Sequence, residues 1–201
     1  MSNRFLSAIL LLPTLAGAAA VELVQSDASE SAVRNDAAIA YVARRGDTVQ
    51  LEWRAPDGTR HVLDTNGVPD TPAWSPAGDA IAYQVFEGEN GNLAIRDLAT
   101  GHVKYVGATG DSEMHPFFSA DGTKLVYTTW NDQSLGSVRV LDVKTGKETT
   151  LTPQPGKYLQ PSFSPDGQYM ALTERADQQF KLILADKEGK PAKSLATFNG
   201  T

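Results

Sequence analysis

The residues best suited to metal or acid–base chemistry are three histidines, His61, His102 and His115, and a scatter of carboxylates. No cysteine is present, which excludes disulfides, thiol catalysis and thiolate metal sites. A serine nucleophile would need a Gly-x-Ser-x-Gly elbow, and the nearest string, Gly110-Asp111-Ser112-Glu113-Met114, lacks the second glycine. No phosphate-cradling glycine loop and no Asp-x-Asp-x-Asp-Gly calcium loop occurs. Asp70, Glu113 and His115 come nearest to a converging acid, base or ligand set. The expectation is therefore a protein that is not an enzyme, with no cofactor and no metal.

The elements that position these residues come from a repeat. Pro72-Ala73-Trp74-Ser75-Pro76-Ala77-Gly78, Pro116-Phe117-Phe118-Ser119-Ala120-Asp121-Gly122 and Pro161-Ser162-Phe163-Ser164-Pro165-Asp166-Gly167 each precede an apolar run. The leading prolines are 44 and then 45 residues apart. A second marker keeps the same beat, with glycines at 58, 101, 146 and 189 after Asp-containing turns. A fixed period of this size marks a repeat architecture.

Each copy reads as strand, turn, strand. Trp74, Phe118 and Phe163 are the expected buried anchors. Asp121 and Asp166 are expected to brace turns through their own backbone, while Ala77 leaves the matching turn less well braced. Four repeats of about four short strands predict an all-β fold: a β-propeller of four four-stranded blades, closed as a small ring or partial.

The pattern Pro-x-(Trp/Phe)-Ser-(Pro/Ala)-(Asp/Ala)-Gly, followed by Asp-x-x-Thr-Gly, resembles the TolB-like, WD-like propeller repeat. The resemblance covers about residues 30–201. It implies the blade but not the chemistry, because related blades also occur in prolyl-oligopeptidase-type peptidases and oligogalacturonate lyases. The lyase-like propellers hold a metal through several histidines near the channel, and here only His115 is placed for that.

Residues 1–20 read as a signal peptide, with Arg4 before an apolar stretch and Ala18-Ala19-Ala20 at the cleavage site. A periplasmic or secreted location follows. Residues 21–201 form the propeller domain, with blades at about 21–68, 69–109, 110–155 and 156–201. Val21–Ser26 is expected as the innermost strand of the first blade, and Asp27–Asp36 as a loop. A formal charge of −6 shows no basic patch and argues against nucleic acid. No membrane span is expected after signal removal.

Asp70, Thr71, Glu113, His115, Tyr158 and Gln160 precede the repeated Pro-x-aromatic-Ser units and are expected to rim one channel mouth. Residues carried by a rigid scaffold are where such folds place function. The reading is a protein- or peptide-binding scaffold in the cell envelope. The alternatives are a lyase or hydrolase at the channel mouth, or a partial propeller completing its ring with another chain. Open blade edges would also favour self-association.

Overall fold

The computed structural model describes residues 28–199, apart from 35, 89, 108, 109 and 153. The expected signal peptide and the Val21–Ser26 strand lie outside the described residues. Sixteen strands and no helix occur among those described, and they form four separate antiparallel sheets.

The first blade contains β1 (Ala28–Val33), β2 (Ile39–Arg45), β3 (Thr48–Arg54) and β4 (Arg60–Leu63). The second contains β5 (Val68–Trp74), β6 (Ala80–Phe86), β7 (Gly91–Asp97) and β8 (Val103–Val106). The third contains β9 (Ser112–Phe118), β10 (Lys124–Trp130), β11 (Val138–Asp142) and β12 (Glu148–Thr150). The fourth contains β13 (Lys157–Phe163), β14 (Tyr169–Ala176), β15 (Gln179–Asp186) and β16 (Pro191–Asn199). Within each sheet the strands pair in sequence order.

One expectation is corrected here. The stretch expected as the loop Asp27–Asp36 contains β1, which pairs with β2 through Ser31–Tyr41, Ala32–Ala40 and Val33–Ile39. Ser29-Glu30-Ser31 has no apolar alternation to announce a strand. Pairing with the apolar β2 places it there.

The anchors share one register. Trp74 pairs with Ile81, Phe118 with Leu125 and Phe163 with Met170. Trp74 and Phe118 are buried, whereas Phe163 is only partly so. The turns beside them repeat one hydrogen-bond pattern. Asp121 Oδ1 accepts the Thr123 amide (3.0 Å) and the Ser119 hydroxyl (2.6 Å). Asp166 Oδ1 accepts the Gln168 amide (3.0 Å) and the Ser164 hydroxyl (2.5 Å). The glycine that follows each aspartate takes a positive φ, 71° at Gly122 and 67° at Gly167, which a side chain would resist.

Apolar residues gather into three cores, one per junction between consecutive blades. The first joins Ala40, Val42 and Leu51 to Trp74, Ile81 and Tyr83. The second joins Ala82, Leu93 and Ile95 to Phe118, Leu125 and Tyr127. The third joins Val126, Val138 and Val140 to Tyr158, Met170 and Leu172. The inner strands pack in turn, β1 on β5, β5 on β9 and β9 on β13. No comparable packing joins the fourth blade to the first among the described residues. Among the described residues the four blades form an open series.

Candidate functional site on the inner strands

Thr71, His115 and Gln160 are not in loops ahead of the strands. They lie inside β5, β9 and β13, each immediately before the repeated proline. All three adopt a left-handed backbone, with φ of 42°, 55° and 48°. At each one the pairing with the neighbouring strand slips, between Asp70 and Ala73, between Met114 and Phe117, and between Leu159 and Ser162. These are β-bulges, which bend a strand and re-aim a side chain. A left-handed non-glycine residue costs about 1–3 kcal/mol and persists only where its surroundings enforce it. Three at one register, on strands that pack side by side, form a row.

The row has defined electrostatics. Asp70 Oδ1 accepts the Thr71 amide at 2.9 Å. Burial holds the His115 pKa below its ordinary value, and the nearby Asp70 charge opposes that only in part. His115 is therefore neutral at pH 7. Its Nδ1 lies 3.1 Å from Thr128 Oγ1, whose single proton goes to the Met114 carbonyl at 3.2 Å. Where the hydroxyl proton goes to that carbonyl, Nδ1 is the donor and Nε2 carries the free lone pair. The row can accept hydrogen bonds from a partner and offers one carboxylate to a cation.

Two of the expected rim residues lie elsewhere. Glu113 is fully buried. Its carboxyl sits against Gly107, where an added Cβ would approach Oε1 to 2.3 Å. Among the described residues neither carboxyl oxygen has a hydrogen-bond partner, and burial, reinforced by the Asp111 charge, pushes the pKa up to about 7. Tyr158 is buried in the third core and donates its hydroxyl to the Gln154 carbonyl at 3.0 Å. Asp70, Thr71, His115 and Gln160 remain partly or well exposed. Phe117 joins them at 41% exposure. Its only signal in the sequence was a second aromatic beside the anchor Phe118.

No group of three or more histidine, aspartate or glutamate side chains is placed to hold a metal ion among the described residues. The three histidines are dispersed, with His61 stacked on Trp53 at 3.9 Å between ring centroids. A hollow of about 330 Å³, lined by Asp111, Arg139, Ser137 and Thr152 among others, includes none of the row's four residues. No helix among the described residues is long and apolar enough to cross a membrane.

The model of the TolB beta propeller domain matches residues 33–200. This chain belongs to that family. It is 36% identical over 102 residues to Protein TolB homolog of Chlorobium chlorochromatii, a match covering 51% of this chain and 22% of the relative. It is 44% identical over 57 residues to Tol-Pal system protein TolB of Francisella tularensis subsp. mediasiatica, covering 28% of this chain and 13% of that protein. The putative TolB from Agrobacterium tumefaciens superposes with a TM-score of 0.74 at 16% identity, covering 84% of this chain and 64% of that one. The matched regions are thus a minor part of the curated relatives. Lyase and peptidase structures share the sheet architecture, so the fold by itself does not set the chemistry.

Proposed function

We propose that this TolB-like propeller is a non-enzymatic, protein-binding scaffold of the cell envelope, and that the row of Asp70, Thr71, His115 and Gln160 is its binding surface. The observation that carries this reading is the repeated left-handed bulge, a strained backbone held at one place in three successive blades. Local preference does not produce it at Thr71 or Gln160, so the surrounding blades hold it there. The chemistry of the row favours a peptide segment bearing a cation or hydrogen-bond donors. Phe117 adds an apolar contact beside it. The relatives named for the Tol-Pal system support a partner among envelope proteins and a periplasmic location after signal removal.

The test is kinetic. A partner recovered by in vivo crosslinking is purified, and its rate constants are measured against the wild type and two variants. Asp70→Lys should mainly slow association, with less effect at high salt, because rim charges act on encounter. His115→Ala should mainly speed dissociation. If neither variant changes either rate constant, the row is not the binding surface.

A further inference from the structure

The connection between β10 and β11 departs from its counterparts. The second and third strands of a blade are joined by two residues in the first blade (46–47), four in the second (87–90) and two in the fourth (177–178). In the third blade the join is seven residues long (131–137). Two residues suffice to turn this corner elsewhere, so the extra length is not a requirement of the blade. Insertions confined to one repeat fall in loops, often at a binding face.

The long loop is fixed in place. Gly136 and Gly156 exchange two backbone hydrogen bonds, of 2.9 and 2.8 Å, which clamp it to the connection between β12 and β13. A Cβ at Gly136 would collide with the Thr129 carbonyl, so this close approach needs glycine. Asn131 Oδ1 accepts the Gln133 and Ser134 amides at 2.9 and 3.3 Å, and Trp130 Nε1 donates to Asp132 at 2.8 Å. Leu135 takes a left-handed backbone (φ 61°) and is 45% exposed. A bulky residue held in that strained region with its side chain in water points to function rather than packing.

The loop and the connection it grips wall the 330 Å³ hollow, a volume at the small end of ligand sites. The hydroxyls of Thr129 and Ser137 face it together. Thr129 Oγ1 accepts the Ser137 amide at 3.1 Å, Ser137 Oγ accepts Arg139 Nε at 3.3 Å, and the two hydroxyls share one bond at 3.0 Å. Among the described residues this leaves the pair one proton to donate and one lone pair to accept. The charged lining is already matched. Arg139 lies between Asp111, at 3.0 Å, and Glu148, at 3.9 Å. One guanidinium between two carboxylates repels an anion, and both carboxylates already have their cation. Leu135 and Pro155 add an apolar edge.

We infer that this hollow binds a neutral sugar unit, and prefers one that carries an acetamido group. A sugar hydroxyl both donates and accepts, which is what the Thr129–Ser137 pair has left to offer. The edge formed by Leu135 and Pro155 takes the acetamido methyl, and the exposed Gln154 side chain meets the amide. The site is separate from the row on the inner strands, and its occupancy needs no partner protein.

The experiment is a protein-observed NMR titration of the purified chain with N-acetylglucosamine, and with galacturonate as the anionic comparison. The expected result is saturable amide shifts centred on Thr129, Ser137 and Thr152, with a dissociation constant on the order of millimolar. Galacturonate should bind about tenfold more weakly or worse. Thr150→Tyr should abolish the shifts by filling the hollow. The second blade carries tyrosine at that register, since Ala94 pairs with Tyr105 as Arg139 does with Thr150. If that variant does not fold, Gln154→Ala should weaken binding by about threefold or more, while the Gln154 carbonyl still holds the Tyr158 hydroxyl. Absence of a saturable shift with N-acetylglucosamine would overturn the inference. So would equal affinity for galacturonate, or binding indifferent to these substitutions.

Discussion

Asp79 Oδ1 accepts the Ser75 hydroxyl at 2.7 Å, and Ser75 Oγ in turn accepts the Ala80 amide at 2.9 Å. The turn whose expected aspartate is replaced by Ala77 thus recovers a carboxylate two residues later. What it lacks is the carboxylate-to-amide bond that Asp121 and Asp166 make. Asp79→Ala should therefore cost about 0.5–1.5 kcal/mol, and Asp121→Ala somewhat more. Denaturant unfolding of the two variants checks the order.

Glu113 governs a pH dependence. Its folded pKa, about 7, lies above the ordinary value of 4.5. Its contribution to stability is therefore fully present below about pH 4.5 and is lost as pH rises through 7. Glu113→Gln should remove this loss and be more stable than the wild type at pH 8, by about 2–3 kcal/mol. Melting curves from pH 5 to pH 8 decide this (the Asp36 and Glu52 carboxyls, held at low pKa by arginines, shift at more acid pH). A wild type and variant with parallel curves would refute it.

The anchors should differ in worth. Phe118→Ala should destabilise by about 3–5 kcal/mol, the usual loss for a buried aromatic. Phe163→Ala should cost less, because Phe163 is only partly buried. Equal losses would mean that exposure misjudges the last junction.

Relieving the strained row should separate stability from binding. Gln160 has φ of 48°, which glycine adopts without a Cβ clash. Gln160→Gly should melt at or slightly above the wild-type temperature while weakening the partner complex. Loss of both together would make the bulge a folding element rather than a binding device.

The blade was legible because its markers are steric and local. Proline, a large aromatic, serine and Asp-Gly recur at one spacing, and the three aromatics indeed share one register. The innermost strand of the first blade was not legible, because Ser29-Glu30-Ser31 has no pattern of its own and is recruited by β2. The site was half legible. Position in the repeat pointed to Thr71, His115 and Gln160, but nothing in these residue types reveals a positive φ. Glu113 and Tyr158 shared that position and went inward instead. Gly107 closes over the glutamate, and the third core takes the tyrosine ring. A charge change at Glu113 would therefore test folding, and Asp70 is the carboxylate that reports on the surface.

Three cores in series make this a chain of nearest-neighbour couplings rather than one cooperative lump. Among the described residues the middle blades are each held from two sides and the outer blades from one. Loss of structure should begin by peeling at an end and move inward. Amide hydrogen exchange should then be slowest in β6 and β10, and faster in β2 and β14. Under force the molecule should yield in steps of about one repeat, each exposing the face that the lost blade had covered.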